Sequence, residues 1–167
     1  NVDIIEPGIL TSNATTLNDA SGFGICDAST LAQVSGGTPP FNYLWDDPLA
    51  QTDSSASSLC AGTFCVIVTD SNGCIDSSCT TVIEPAPIVI SSSTINVDCN
   101  GNCNGSVDVN VSGGVSPYTF SWSGPNAFSS NLEDLSGLCP GQYNLALTDF
   151  NGISSFHNVS ISEPSSL

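Results

Sequence analysis

An internal repeat constrains the fold of this 167-residue chain more than any other sequence feature. The dipeptide Glu-Pro occurs three times, at steps of 78 and 79 residues, each time after an apolar stretch. Three further motifs keep their order between these points: Ser-Gly-Gly at 35–37 and 112–114, Leu-Cys at 59–60 and 138–139, and Asp-x-Asn-Gly at 70–73 and 149–152. Because motifs that recur in a fixed order mark copies of one module, we predict two tandem domains, at residues 7–85 and 86–167.

The first six residues, 1–6, resemble the end of each repeat. We predict that they form the last strand of a preceding repeat, which would make the chain an excerpt of a longer array. The alternative is a spare strand that completes a neighbouring chain, because an unpaired strand readily adds to the sheet of another molecule.

Hydrophobic and polar residues alternate within each repeat, as they do in half-buried strands. Val107, Val109 and Val111 alternate with Asp108 and Asn110. The same alternation recurs in both repeats, at residues 41–45, 64–68, 118–122 and 143–147. The Asn-Gly pairs at 72–73 and 151–152 predict tight hairpin turns with positive φ. About seven short strands per repeat, separated by turns, predict an all-β fold of two tandem immunoglobulin-like β-sandwich repeats.

Charge of a single sign limits the partners of this chain. It carries 16 Asp and Glu residues, one His, and no Lys or Arg. Basic side chains supply most of the affinity for phosphate backbones and for anionic lipids, so we predict neither nucleic-acid binding nor attachment to anionic membranes. No apolar run approaches the ~20 residues that span a bilayer, so we also predict no membrane insertion.

Ordered motifs of the second half resemble a known family. They are NVDCNGNCNGSVDVNVSGGVSPYTFSW at 96–122, LEDLSGLCPGQYNLALTDFNG at 132–152 and VSISEP at 159–164. This series resembles the repeat of SprB-type gliding and cell-surface adhesins of the Bacteroidetes, and the first half carries it more loosely as a second tandem copy. The resemblance implies an extracellular or cell-surface adhesin or fibre, exported by a dedicated secretion system. One departure is Ile153, which replaces the Cys that Cys74 keeps in the family's Asn-Gly-Cys turn.

Eight cysteines in a chain rich in turn residues predict disulfides formed outside the reducing cytosol. Cys26 and Cys60 are matched by Cys103 and Cys139 in the second repeat, so we predict one bridge of this kind in each repeat. If the gain is counted as entropy lost by the unfolded chain, closing loops of about 35 residues contributes roughly 3–4 kcal/mol each.

A second type of bridge is predicted in the first repeat alone. Cys65 and Cys79 are both replaced in the second repeat, by Asn144 and Asn158. Joint replacement suggests contact between the two side chains. Alternation points both away from the core on adjacent strands, so we predict a cross-strand disulfide.

Cys74 and Cys99 remain, and their counterparts in the other repeat are Ile153 and Gly22. We predict either a bridge between neighbouring chains or two free thiols, because leftover cysteines of a secreted protein point to intermolecular pairing. Direct pairing of Cys99 with Cys103, with the other partners reshuffled, is a third alternative.

No residue pattern indicates an enzyme. A hydrolase needs a nucleophile beside a base, or paired carboxylates in a cleft. His157 is the only histidine, and in the predicted final strand it has a structural or surface role. Trp45 and Trp122 have the alternation of core residues on the third strand, which disfavours a role as sugar-stacking platforms.

Calcium is the one metal for which the sequence offers candidate ligands. Asp98, Asn100 and Asn102 offer oxygen ligands at alternate positions. The EF-hand pattern fails, since Cys103 stands where the loop needs Gly and Val109 where it needs the bidentate acid. Asn-rich turns often only tolerate left-handed backbone. We therefore expect no cofactor, with weak calcium binding on the acidic surface as the alternative.

Together these patterns predict a structural or adhesive repeat segment of a secreted bacterial surface fibre or filament, stabilised by disulfides. Its predicted partners are other copies or repeats of the same protein, joined through strand exchange or through cysteines. The alternative function is a glycan- or calcium-dependent adhesive binding module, whose partner would be a glycan or another surface ligand.

Overall fold

The computed structural model describes residues 7–165, and the strand predicted at residues 1–6 lies outside the described residues. Apart from one 3-10 turn at Pro125–Ala127, the regular structure is all β. The chain divides into two compact units, Asn1–Glu84 (unit 1) and Pro85–Leu167 (unit 2), one residue before the predicted boundary. No helix in the part of the chain that is described is long and apolar enough to cross a membrane.

Unit 1 is a sandwich of two antiparallel sheets. Its strands are β1 Thr11–Asn18, β2 Ala28–Ser35, β3 Asn42–Trp45, β4 Ser55–Leu59, β5 Gly62–Thr69 and β6 Ile75–Val82. One sheet has the order β1-β2-β4 and the other β3-β5-β6. The chain therefore changes sheet between β2 and β3, between β3 and β4, and between β4 and β5. This exchange of strands between two sheets is the Greek-key arrangement of an immunoglobulin-like sandwich.

Unit 2 repeats this arrangement with one short strand more. Its strands are β7 Val89–Ile95, β8 Gly105–Ser112, β9 Thr119–Ser123, β10 Ser129–Ser130, β11 Leu135–Leu138, β12 Gly141–Thr148 and β13 Ser154–Ile161. The sheets have the orders β11-β8-β7 and β10-β9-β12-β13. The predicted fold, all-β with two tandem immunoglobulin-like β-sandwich repeats, is confirmed.

Alternating side chains fill the space between the sheets of each unit. Trp45 and Trp122 are 1% and 2% exposed, which confirms their assignment to the core. Their indole N–H groups donate to the carbonyl oxygens of Asp53 and Leu132, each at 3.0 Å. A buried indole needs such an acceptor. The same tryptophan therefore anchors the third strand in both units.

The two cores differ in the size of their side chains. Unit 1 buries five alanines: Ala14, Ala20, Ala28, Ala32 and Ala56. The buried cluster of unit 2 contains larger residues, among them Leu135, Leu145 and Tyr143. Since hydrophobic stabilisation scales with the apolar area removed from water, unit 1 gains less from its core. Unit 1 is also the unit that has a second disulfide.

Candidate functional site

Six of the cysteines are bonded in the described part of the chain. Cys26 bonds Cys60 across a sequence separation of 34 residues, and Cys103 bonds Cys139 across 36. Each bridge ties the loop before the second strand of its unit to the turn before the penultimate strand. That penultimate strand is β5, the fifth, in unit 1 and β12, the sixth, in unit 2.

The third bridge joins Cys65 to Cys79, which face each other in the register of β5 and β6. Cys74 and Cys99 are free and exposed. The structure thus contains none of the reshuffled pairings, since Cys103 is bonded to Cys139 and Cys99 is a thiol.

The candidate calcium ligands lie in the loop between β7 and β8, where they bond one another and the backbone. The Asn102 amide donates to Asp98 Oδ1 at 2.8 Å, and the Asn100 amide donates to the carbonyl of Pro164 at 3.1 Å. The bond from Asn102 is the main cause that holds the pKa of Asp98 below its usual value. Across residues 7–165, no group of three or more His, Cys, Asp or Glu side chains is placed to hold a metal ion.

The first and last strands of unit 1 meet at a seam between the two sheets. The backbone N–H and the hydroxyl of Ser12 donate to Asp76 Oδ2 at 2.5 and 2.7 Å. Further along, the Thr16 hydroxyl lies 2.9 Å from that of Thr80 and donates to the Thr81 carbonyl at 3.0 Å. These pairs are separated by 64 or 65 residues throughout, so β1 and β6 run parallel.

Backbone bonds close the far end of this seam in both units. Ile83 N–H donates to Asp19 Oδ1 at 2.9 Å, and the carbonyl of Ile83 accepts from Ala20. In unit 2, Ser162 N–H donates to Asn96 Oδ1 at 2.8 Å, and its carbonyl accepts from Val97. The last strand of each unit is therefore fastened to the residues that follow the first strand.

His157 belongs to the seam of unit 2. Its Nε2 lies 2.8 Å from the Ser92 hydroxyl, which joins β13 to β7. A serine beside a histidine is also the start of a catalytic triad, which needs a third group to orient the base. Among the described residues the imidazole makes no second hydrogen bond, so no third group of a triad lies beside this pair.

The Glu residues of the second and third Glu-Pro motifs each accept a hydrogen bond from a loop of their own unit. Glu84 Oε2 accepts from the backbone N–H of Gly24 at 2.6 Å, and Glu163 Oε2 accepts from that of Gly101 at 2.8 Å. The motif was noticed in the sequence as a repeat boundary. That its carboxylate binds the loop between the first two strands of the unit could not be inferred from its spacing.

A buried aspartate organises the opposite end of each unit. Asp70 is 3% exposed, and its Oδ1 accepts from the N–H groups of Asn72 and Cys74 at 2.9 and 2.8 Å. Its Oδ2 accepts from Thr38 N–H at 2.9 Å, which ties the β5–β6 turn to the Ser-Gly-Gly turn. The bond from Thr38 is the main cause that lowers the pKa of Asp70.

Unit 2 has a buried aspartate with the same bonds. Asp149 accepts from the N–H groups of Asn151 and Ile153, and from that of Val115. In both turns only the glycine of the Asn-Gly pair has positive φ, 84° at Gly73 and 85° at Gly152. The predicted tight turn is therefore a longer loop folded around the aspartate. The sequence marked these aspartates only as residues that begin turns.

Acid is expected to destabilise the fold through these carboxylates. Hydrogen bonds, from Thr38 to Asp70 and from Ser12 to Asp76, lower both pKa values from 3.8. A carboxyl whose folded-state pKa is depressed contributes its stability above the unfolded-state value and loses it as the pH falls through the folded value. Urea midpoints should therefore fall steeply below about pH 3.8.

The control for this titration is a carboxylate outside the network. Asp53 is exposed, and its carboxylate accepts no hydrogen bond among residues 7–165. Asp53→Asn should keep the whole acid-dependent loss, whereas Asp76→Asn should lose part of it because one depressed carboxyl is gone. Equal acid dependence of the two variants would contradict the assignment.

One known family matches part of this chain. Residues 91–127, from β7 to the 3-10 turn, match the SprB repeat. None of the curated proteins matches the chain significantly.

The chain is also similar to several solved structures. The first two immunoglobulin domains of DIP-gamma are 11% identical with a TM-score of 0.41, and the match covers 96% of this chain and 98% of that one. The four N-terminal immunoglobulin domains of Dscam1 isoform 6.44 are 15% identical with a TM-score of 0.37, over 90% of this chain and 46% of that one. A tetra-tandem repeat from the extending region of a large adhesion protein is 16% identical with a TM-score of 0.35, over 93% and 49%.

This chain thus spans about half the length of the Dscam1 and tetra-tandem structures. All three TM-scores are below 0.5, so the immunoglobulin-like fold rests on the strand order of the two units. The similarity to the SprB repeat rests on the matched segment, whose motifs the first unit repeats in order. Residues 91–127 of this chain are thus similar to the SprB repeat.

Proposed function

We propose that the chain is a load-bearing segment of a secreted adhesive fibre or filament at a bacterial surface, and that it is not an enzyme. The observation that carries the proposal is the parallel seam between the first and last strands of each unit. In unit 1 it runs from the Ser12–Asp76 contact to the contact between Asp19 and Ile83.

The direction of the seam decides how it responds to tension. Because β1 and β6 run parallel, the chain enters unit 1 at one end of the seam and leaves it at the other. A pull on the two ends of the unit is then directed along the strands. All seam bonds are loaded together, whereas a hairpin pulled at its open end loses its bonds one after another.

Disulfides limit the length of chain that can extend after a seam has broken. When unit 1 unfolds in its oxidised form, the bonds Cys26–Cys60 and Cys65–Cys79 withhold the segments of 34 and 14 residues that they close. In unit 2 the bond Cys103–Cys139 withholds 36 residues. Such bonds persist in oxidising surroundings, which supports an extracellular location.

Uniform negative charge supports the same role. The chain has a net charge of −16 at pH 7, without a single Lys or Arg. Like charges keep neighbouring fibres apart over a Debye length of about 8 Å at physiological salt, which favours solubility over lateral clumping.

One sheet edge of unit 1 is covered against strand addition. The Gln51 amide donates to the carbonyl of Ser57 at 3.0 Å and accepts from its N–H at 3.1 Å, so it pairs with β4 as a strand would. Asp47 holds this amide at 3.0 Å. Burial has the largest influence and raises the pKa of Asp47, but the hydrogen bonds from Gln51 and Leu49 act against it, and the pKa lies below its usual value. Partner copies would therefore meet elsewhere than at this edge.

Single-molecule pulling on the full chain tests the proposal. Asp76→Ala removes both bonds from Ser12, so unit 1 should unfold at a lower force than in the wild-type chain. Asp53→Ala removes an exposed carboxylate of the same unit and should leave the force unchanged. Reductant should lengthen the step of unit 1 by 34 and 14 residues, at roughly 3.5 Å each, which identifies the unit.

Two outcomes would overturn the seam as the force-bearing element. One is an unfolding force that Asp76→Ala and Asp53→Ala leave equally unchanged. The other is a loss confined to unit 2, which contains neither substitution. Forced unfolding reports the unfolding rate, so the equilibrium stability of both variants is measured separately.

A further inference from the structure

We infer that copies of this chain are joined head to tail by a disulfide between Cys99 of one copy and Cys74 of the next. The proposed function needs only that each unit bears load, so this link goes beyond it. The partner is a second copy of the chain, and the product is an open covalent polymer, because a head-to-tail contact that does not close on itself propagates.

Cys74 lies at the end where the chain enters unit 1. It follows the β5–β6 turn and lines a groove of about 390 Å³ together with Pro7, Ile9 and Ile75. Ile9 and Ile75 are 87% and 69% exposed. This end of the unit therefore combines a free thiol with apolar surface that no described residue covers, which is suited to receive another protein surface.

Cys99 lies at the end where the chain leaves unit 2. The residues beside it in the same loop bond the last described segment: Asn100 donates to the Pro164 carbonyl and Gly101 to the Glu163 carboxylate. Cys99 is also exposed. The Cys99 thiol is thus accessible at the exit of unit 2, as the Cys74 thiol is at the entrance of unit 1.

The counterparts of the two thiols in the other unit sharpen the inference. Gly22, at the exit of unit 1, is the counterpart of Cys99. The carbonyl oxygen of each accepts a hydrogen bond from the backbone N–H three residues later in the chain. Ile153 has the place of Cys74 at the entrance of unit 2, since the carbonyl of each accepts from the turn aspartate. Thiols therefore lie at the entrance of unit 1 and at the exit of unit 2, and neither the exit of unit 1 nor the entrance of unit 2 has one.

The chemistry requires an oxidant, which we take to be a small-molecule disulfide. The Cys99 thiolate attacks this disulfide, forms a mixed disulfide and releases one thiolate. The Cys74 thiolate of the second copy then attacks Cys99 Sγ, forms the link between the copies and releases the second thiolate. Two protein thiols are oxidised, and one small disulfide is reduced to two thiols. Both cysteines are exposed, so both can be reached.

The experiment incubates the full chain with oxidised glutathione and follows its mass with and without reductant. The wild-type chain should give a ladder of multimers that reductant collapses to the single chain. Neither Cys74→Ser nor Cys99→Ser should extend beyond a dimer. An equimolar mixture of the two should give a mixed dimer about tenfold faster than either alone gives its own dimer, a docking preference of about 1.4 kcal/mol. Peptide mapping should find Cys99 bonded to Cys74.

A matched pair of variants tests the groove apart from the thiol. Ile75→Ser should slow ladder formation, whereas Leu49→Ser, at an equally exposed position in unit 1, should not. Absence of a ladder, equal rates for all pairings of thiols, or Cys99 bonded to Cys103 within one chain would each overturn the link. The chain with serine at both positions keeps every seam bond, so failure here leaves the pulling result unaffected.

Discussion

Replacing Cys26 and Cys60 together by serine is expected to lower the free energy of unfolding of unit 1 by about 4 kcal/mol. The bond closes a separation of 34 residues, and without it the unfolded chain gains the entropy that this loop had lost. This loss is a larger share of the stability of unit 1 than it would be in unit 2, because unit 1 packs five alanines in its core and gains less from burial. Urea unfolding is measured by fluorescence in a Trp122→Phe background, in which Trp45 reports on unit 1 alone.

The other two bridges of the chain provide the controls. Loss of Cys65–Cys79, with a separation of 14 residues, should cost unit 1 about 3 kcal/mol, because the entropy term grows slowly with loop length. Loss of Cys103–Cys139 should leave the transition of unit 1 in place. A Cys26/Cys60 variant that unfolds at the wild-type midpoint would contradict the expectation.

Gly113→Ala is expected to destabilise unit 2 by about 3 kcal/mol. Gly113 has φ of 74°, and a methyl group there would collide with the carbonyl oxygen of Pro87. The cost is therefore the left-handed backbone of an L-residue, about 1–2 kcal/mol, together with the displacement of a neighbouring chain segment. The unfolding midpoint is measured through Trp122 in a Trp45→Phe background.

Gly152→Ala separates the two contributions. Its φ of 85° is as unfavourable for alanine, but nothing lies within 4 Å of the added methyl group. This variant should lose only about 1–2 kcal/mol. If both variants lose equally, the contact between the Ser-Gly-Gly turn and the entering chain does not contribute to stability.

The alternation of apolar and polar residues predicted the strands, because this alternation is a property of each strand by itself. In Val107, Val109 and Val111 the alternation fixes which side chains point inward, and it needs no knowledge of the partner strand. The comparison of the two repeats added information of another kind. Since Cys65 and Cys79 change together, they are identified as neighbours without any geometry.

The seam and the buried turn aspartates could not be predicted from such patterns. Nothing in the composition of β1 and β6 distinguishes Ser12 and Asp76 from the other polar residues of these strands, because their bond joins positions 64 residues apart. Asp70 was visible only as the first residue of a turn. Its three backbone donors come from two different turns, and only the packed sandwich brings them together.

The sequence by itself determined the number of repeats, the strands, the core tryptophans and the all-β class. These follow from periodicity, which acts over a few residues or over one repeat length. Tertiary structure alone decided that the first and last strands of each unit run parallel, that Glu84 and Glu163 bind loops of their own units, and that Cys74 and Cys99 lie at the entrance of unit 1 and the exit of unit 2. These features depend on which surfaces come into contact when the two sheets of a unit pack together. An apolar pattern in the sequence predicts that a side chain is buried, but it does not predict which residue it contacts.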